Sequence, residues 1–324
     1  MLTLFLSLLG IVITIFFVVG VHEFGHFIVA RAVGIKVLRF SIGFGKALYR
    51  WYDKKGTEYV IAAIPLGGYV KMLDETEAPV LEEESHLAYN RQSLYKRIAV
   101  IIAGPFFNLL FAFVLYWGLF VAGFISVVPL IGKIIPHSIA AKAGLKSQEE
   151  IVRIDNKPTA SWTSVSIRLL SLAGNKGEMK IVTKHIKTQA IQTYTLDLTH
   201  FQMDKLQPEP LKSLGIIPYE PDNAKGIWPK NLLRKNQYNP VTALSHALQN
   251  TVDFTYLNFL LLGKMLTGKI SFQSLGGPIT IFETAGAALN AGIVSFSSFL
   301  AFLSISIGII NVLPIPGLDG GHLL

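Results

Sequence analysis

The sequence predicts an α-helical polytopic membrane protein with a membrane-associated β-hairpin and an inserted small β-rich domain, and three observations carry that expectation. Of the 324 residues, 51% are hydrophobic and only 15% are charged, and the mean hydropathy is +0.46, too apolar for an ordinary soluble chain. Three stretches, Leu2 to Val21, Ile98 to about Ile125 and about Ile293 to Pro316, reach the roughly 20 apolar residues that a hydrocarbon core about 30 Å thick requires. Between them the pattern changes to short runs of β-branched and aromatic residues bounded by turn residues, which reads as strand.

Residues 1–30 form the first transmembrane helix and end in "VVGVHEFGHFIVARAV", residues 19 to 34. A signal peptide would need a basic leader and a small-residue cleavage site, and this stretch has neither. Arg31, Lys36 and Arg39 follow the first span, and Arg91, Lys96 and Arg97 precede the second. Residues 31–97 are therefore expected in the cytoplasm and the N-terminus outside. In this segment "SIGFGKALYRWY" and "TEYVIAAIPLGGYVKM", joined by "DKKG", predict a hairpin. It either dips into the membrane, where its free edge can take a substrate as another strand, or is an ordinary cytoplasmic hairpin. Gly67 and Gly68, in its second strand, are candidate substrate-binding residues.

Residues 98–125 are the second span, and residues 126–220 an external β-rich module with runs such as "EEIVRID" and "GEMKIVTKHI". Residues 221–292 are expected to be linker and amphipathic interfacial helices. "FTYLNFLLLGKML", residues 254 to 266, is short, with Asp253 before it and Lys264 within it, which suits a helix lying at the interface. Residues 293–324 hold the third span and "NVLPIPGLDGG".

The chain has no cysteine, so any metal is held by nitrogen and oxygen. The net charge of +8 is scattered through loops and forms no nucleic-acid stripe. It implies topology and attraction to anionic lipid, the bilayer being one partner and nucleic acid none.

His22 and His26 are four residues apart, on one helical face, where both rings can aim at one ion. Glu23 beside them is a candidate general base. In soluble helices such a match is most often a solvated face. At membrane depth a carboxylate costs about 2.5 kcal/mol or more, and a bound cation offsets that cost. A third ligand is offered by Asp319, which follows the third span as the histidines follow the first, with His322 as its rival. Asn108, one turn after Gly104 and Pro105, is expected to make a helix-to-helix hydrogen bond worth about 0.6 kcal/mol. Asn311 is followed by Pro314 and Pro316, which break the helix and leave extended backbone to which a substrate can bond.

These motifs, with "GTEYVIAAIPLGGYVKMLDE" at 56 to 75, "AGPFFN" at 103 to 108, "GIINVLPIPGLDGGHLL" at 308 to 324 and "IGKIIPHSIAAKAGL" at 131 to 145, resemble the site-2 protease family of intramembrane zinc metalloproteases over nearly the whole chain. The resemblance implies one zinc ion per chain held by His22, His26 and Asp319, with Glu23 as catalytic base and Asn311 near the substrate backbone. It implies a bacterial inner-membrane enzyme, with its active site near the cytoplasmic side, acting in regulated intramembrane proteolysis. The substrate would be a single-pass transmembrane protein, such as an anti-sigma factor, or a remnant signal peptide. The external module resembles a PDZ domain, which would take a peptide ligand or exclude bulky substrates.

The chain departs from the family twice. The bacterial members it most resembles carry two consecutive PDZ domains, and here there is room for one. The family also continues into a final transmembrane helix beyond the position of Leu324. That implies a fragment or an edited chain and leaves its activity open. The alternative function is a membrane-anchored PDZ scaffold or pseudoprotease that binds peptides without cleaving them. Intact His22, Glu23, His26 and Asp319 argue against it, and three spans without a repeat are few for a transporter.

Overall fold

The structure is a computed structural model and describes residues 2–172, 176–199, 201, 209–221, 228–271, 273, 277–315 and 318–323. The chain divides into two compact units. One comprises Met1–Val121, Asn239–Thr255 and Gly277–Leu324, the other Ala122–Tyr238 and Tyr256–Gly276.

In the first unit, helix α1 (Leu2–Ala32) is 31 residues long, about 46 Å at 1.5 Å per residue. It contains no proline and runs straight through the histidine motif, so the expected span from Leu2 to Val21 is only part of one continuous helix. It stops where Gly34 takes φ +88°, a left-handed conformation that glycine adopts without strain. Two long strands follow, β1 (Val37–Tyr52) and β2 (Glu58–Met72), and then α2 (Leu94–Ala122). The second span thus begins before Ile98 and ends short of Ile125, at Gly123 with φ +83°.

The expected hairpin is present, but it is more than two simple strands. Arg39 to Ile42 face Lys71 to Gly68 on one side and Glu58 to Ile61 on the other, and Tyr49 to Tyr52 face Ile61 to Glu58. Each strand therefore bends near its middle, and four segments lie side by side in the order 68–72, 37–42, 58–61, 49–52. Residues 60 and 61 lie inside this sheet, and residues 68–72 form one of its edges. The bends carry exposed Phe44, Leu48 and Ile64, apolar surface that suits a membrane interface.

The sheet is tied to the motif helix at two places. Phe27 packs edge-on against Phe40 and Tyr59, with ring centroids 5.4 and 5.7 Å apart. Arg31 pairs with Asp53 in the turn, whose other oxygen accepts from the amides of Lys55 and Thr57 at 2.9 and 3.0 Å. Burial alone would raise the Asp53 carboxyl. The bond from Arg31 and the two turn amides outweigh it and hold the group below the usual carboxylate range.

The second unit contains β3 (Phe124–Val127), β4 (Ile131–Ile134), α3 (Ile139–Lys142), β5 (Glu149–Ile154), β6 (Lys157–Pro158), α4 (Trp162–Leu172), β7 (Glu178–His185), β8 (Ile191–Asp197), α5 (Pro210–Leu214), β9 (Ile216–Pro218) and β10 (Leu233–Asn236). A four-stranded antiparallel sheet has the order β6-β5-β7-β8, and β3 pairs with β10 and β4 with β9. Ile151, Ile154, Val165, Leu169, Met179, Ile181 and Leu196 form its core. Met179 and Ile181 alternate along β7 and Val165 and Leu169 share one face of α4, as a half-buried sheet with a packed helix requires, while a register shift between Ile151 and Arg153 brings both Ile151 and Ile154 to the core.

The remaining helices are α6 (Pro240–Leu266), α7 (Pro278–Asn290) and α8 (Ile293–Val312). Among the described residues, three helices are long and apolar enough to cross a membrane: Thr3–Ala32, Leu94–Ala122 and Ile293–Val312. The 27-residue α6 is not among them, because its first half carries many polar side chains. The third span ends at Val312, before the helix-breaking Pro314. Pro316, its expected end, lies outside the described residues.

Candidate metal centre

The i, i+4 spacing on α1 brings the rings of His22 and His26 to a centroid separation of 4.8 Å, with their Nε2 atoms 3.2 Å apart. The Oδ2 atom of Asp319 lies 2.7 Å from His22 Nε2 and 3.2 Å from His26 Nε2. Both histidines are buried, and the Asp319 side chain is 27% exposed. Asp319 reaches them because α8 ends at Val312 and the chain turns into a short 3-10 segment, Asp319–Leu323. The side chain of His322, the rival ligand, lies outside the described part of the structure.

This donor set fits zinc. Ligand atoms about 2.0–2.1 Å from a tetrahedral ion stand roughly 3.3 Å from one another, so a small opening of the His22–Asp319 pair suffices. The tautomer of His26 is already determined by its neighbour. Its Nδ1 lies 2.7 Å from the Val100 carbonyl, which can only accept, so Nδ1 carries the proton and Nε2 offers its lone pair. Pro105 inside α2 interrupts the backbone ladder one residue beyond that point.

The helices approach closely at Gly104 on α2. A Cβ there would lie 2.8 Å from His22 Cε1 and His26 Cε1, and closer still to His26 Nε2. The rings occupy the space that a side chain would otherwise fill.

His22, Glu23, His26, Gly67, Gly68, Asn311 and Asp319 all line one cavity of about 670 Å³. The structure thus brings together every site residue expected from the sequence. Asn311 Nδ2 is 3.2 Å from His22 Nε2, and Asn311 occupies the last turn of α8. Gly68 lets β2 pass against the motif: a Cβ on it would stand 2.9 Å from Glu23 Cγ and 2.8 Å from the Ser41 carbonyl oxygen.

The helix-to-helix hydrogen bond expected of Asn108 is present, but its partner was not foreseen: the residue is fully buried on α2, and its Nδ2 lies 3.1 Å from Nδ1 of His22 on α1, which places it at the site. The signal available in the sequence was its spacing of four from Gly104, which puts the two on one face of α2.

The model of Peptidase family M50 matches residues 10–324. The chain is 35% identical over 409 aligned positions to Protease RseP of Yersinia pestis, covering all of this chain and 90% of that protein. It is 35% identical over 404 positions to Regulator of sigma-E protease RseP of Escherichia coli K12, covering 99% and 88%. Against a Vibrio cholerae protein named "Putative zinc metalloprotease" it is 32% identical, covering 98% and 89%. The 409 positions exceed this chain's 324 residues by 85, so the relative carries sequence with no counterpart here. With that agreement across nearly all of the chain, and three apolar helices around a His-Glu-x-x-His site, the chain belongs to Peptidase family M50 and is a zinc metalloprotease of the membrane.

Proposed function

We propose that His22, His26 and Asp319 hold one zinc ion and that the protein hydrolyses a peptide bond in the transmembrane segment of a single-pass membrane protein. The observation that carries this reading is the convergence of those three donors, all within 4.8 Å of one another, in the cavity that Glu23 and the edge of β2 also line. Zinc bound there would make water a nucleophile at neutral pH and polarise the scissile carbonyl. Glu23 takes the proton from the attacking water and returns it to the leaving amine. The Asn311 amide donates to the substrate backbone.

A transmembrane helix hides every backbone carbonyl in its own hydrogen bonds, so the substrate must unwind before it is cut. The free edge at residues 68–72 is where it is held open as an added strand, with Gly67 and Gly68 giving its backbone close access to Glu23. Membrane-protein substrates of the anti-sigma-factor or remnant-signal-peptide kind suit this arrangement, and the names of the RseP relatives, which concern sigma-E regulation, point the same way. The β-rich second unit acts as a single PDZ-like module. The 85 surplus positions in the Yersinia alignment are sequence that this relative has and this chain lacks, which suits a single module here.

The test is cleavage of a model transmembrane peptide by purified protein, with zinc measured on the same sample. Chelation removes cleavage and zinc together, and zinc restores both; cleavage that survives complete zinc removal rejects the proposal. Neighbouring residues of an edge strand turn their N–H groups alternately outward and into the sheet, so of Tyr69 and Val70 only one carries an edge donor, and proline at that position removes it. That proline lowers cleavage of a stably helical substrate more than of one already loosened by glycine, and equal losses on both would reject strand addition.

Topology is tested separately. The histidines lie in the inner part of a span running inward and Asp319 follows another, so an even number of crossings separates the second span from α8, and α6 does not cross. In a bacterial inner membrane, single cysteines at Asn250 and Lys269 are both labelled by an impermeant external thiol reagent, and one at Lys54 is not. Labelling of Asn250 and Lys269 from opposite sides rejects this arrangement.

A further inference from the structure

Beside the histidines, α2 holds a buried polar atom without a partner, Asn108 Oδ1. The residue is tightly placed. Its backbone carbonyl accepts from the Ser304 hydroxyl at 3.0 Å, and a Cβ added to Gly308 would stand 3.1 Å from its Cβ. Its side-chain amide faces the His22 ring, Nδ2 at 3.1 Å from Nδ1.

The two histidines need the same thing from their surroundings. His22 turns Nε2 towards Asp319, His26 and Asn311, so Nε2 is its coordinating nitrogen. A neutral imidazole that gives the Nε2 lone pair to a cation carries its proton on Nδ1, and a buried Nδ1–H needs an acceptor. For His26 that acceptor is the Val100 carbonyl. For His22 the facing group is the Asn108 amide, and a half-turn about its terminal torsion exchanges Nδ2 for the unpartnered Oδ1.

We propose that Asn108 is the positioning residue of His22: its side-chain carbonyl accepts the Nδ1–H and so presents the Nε2 lone pair to zinc. This rests on the proposed ligand role of His22.

The test measures zinc affinity of the full chain in detergent by competition with a chelating dye, with thermal unfolding and monodispersity as folding checks. Asn108→Ala and Asn108→Leu weaken zinc binding roughly 10- to 100-fold, the usual effect of losing such a partner. Asn108→Asp, which keeps an acceptor, stays near wild type. Ser304→Ala, which removes the bond to the Asn108 backbone and leaves the side chain in place, also stays near wild type. His22→Ala serves as the reference and loses zinc.

Wild-type affinity in folded Asn108→Ala and Asn108→Leu, with zinc lost in His22→Ala, overturns this proposal and leaves the ligand assignment standing. Equal weakening in Ser304→Ala, or in folded Asn108→Asp, reduces the role to packing and also overturns it. Zinc retained by His22→Ala overturns the ligand assignment, and the proposal with it.

Discussion

Glu23→Gln is expected to keep about one zinc per chain while hydrolysis falls by roughly 10²- to 10⁴-fold, the range for losing a positioned acid–base group. His22→Ala and Asp319→Ala are expected to lose both. The split follows from geometry. His22, His26 and Asp319 bring three donor atoms together, whereas Glu23 lines the same cavity beside Gly68, outside that cluster. Glutamine preserves the size of the side chain and one acceptor oxygen, but its amide cannot take up the proton. Metal analysis and a cleavage assay on the same preparations separate the two roles. A Glu23→Gln protein that cleaves at the wild-type rate removes the base from the mechanism.

Gly104→Ala is expected to release zinc, against what helix propensity alone predicts. Alanine is better than glycine inside a helix by about 1 kcal/mol, so a view limited to α2 expects a more stable protein. The added methyl would lie 2.8 Å from the Cε1 atoms of both histidines. Overpacking of this kind costs about 1–3 kcal/mol, roughly 5- to 150-fold in zinc affinity if it is all taken up at the rings. Gly118→Ala is the control on the same helix, since nothing lies within 4 Å of the Cβ it would add. It is expected to keep zinc and activity. If both variants bind zinc as wild type does, the close approach at Gly104 is unimportant to the site.

Much of the site was legible because its parts are local or repeat along one element. The spacing of His22 and His26 places both on one helical face whatever surrounds them, and Pro314 ends α8 wherever it packs. The apolar runs identify three membrane helices through composition alone. Their ends were less legible, because α1 runs past Val21 to Ala32 through charged residues that a hydropathy reading treats as an end. The hairpin was legible as two runs and a turn. Its folding back on itself was not, because the bends near Phe44 and Ile64 depend on which segments pair, and that is a contact between residues far apart in the chain, such as Arg39 and Tyr69, 30 positions apart.

The sequence by itself determined the membrane class, the helical pairing of His22 with His26, the position of Glu23 beside them and the break after Asn311, since each depends on residues within a few turns of one another. The tertiary structure alone decided that Asp319, 297 positions from His22, stands 2.7 Å from it, that residues 68–72 offer the sheet edge, and that Asn108 faces a histidine. Those are facts about which surfaces meet. A chain's periodicity says which side of a helix a residue occupies, and only the packing of one helix on another says what it touches there.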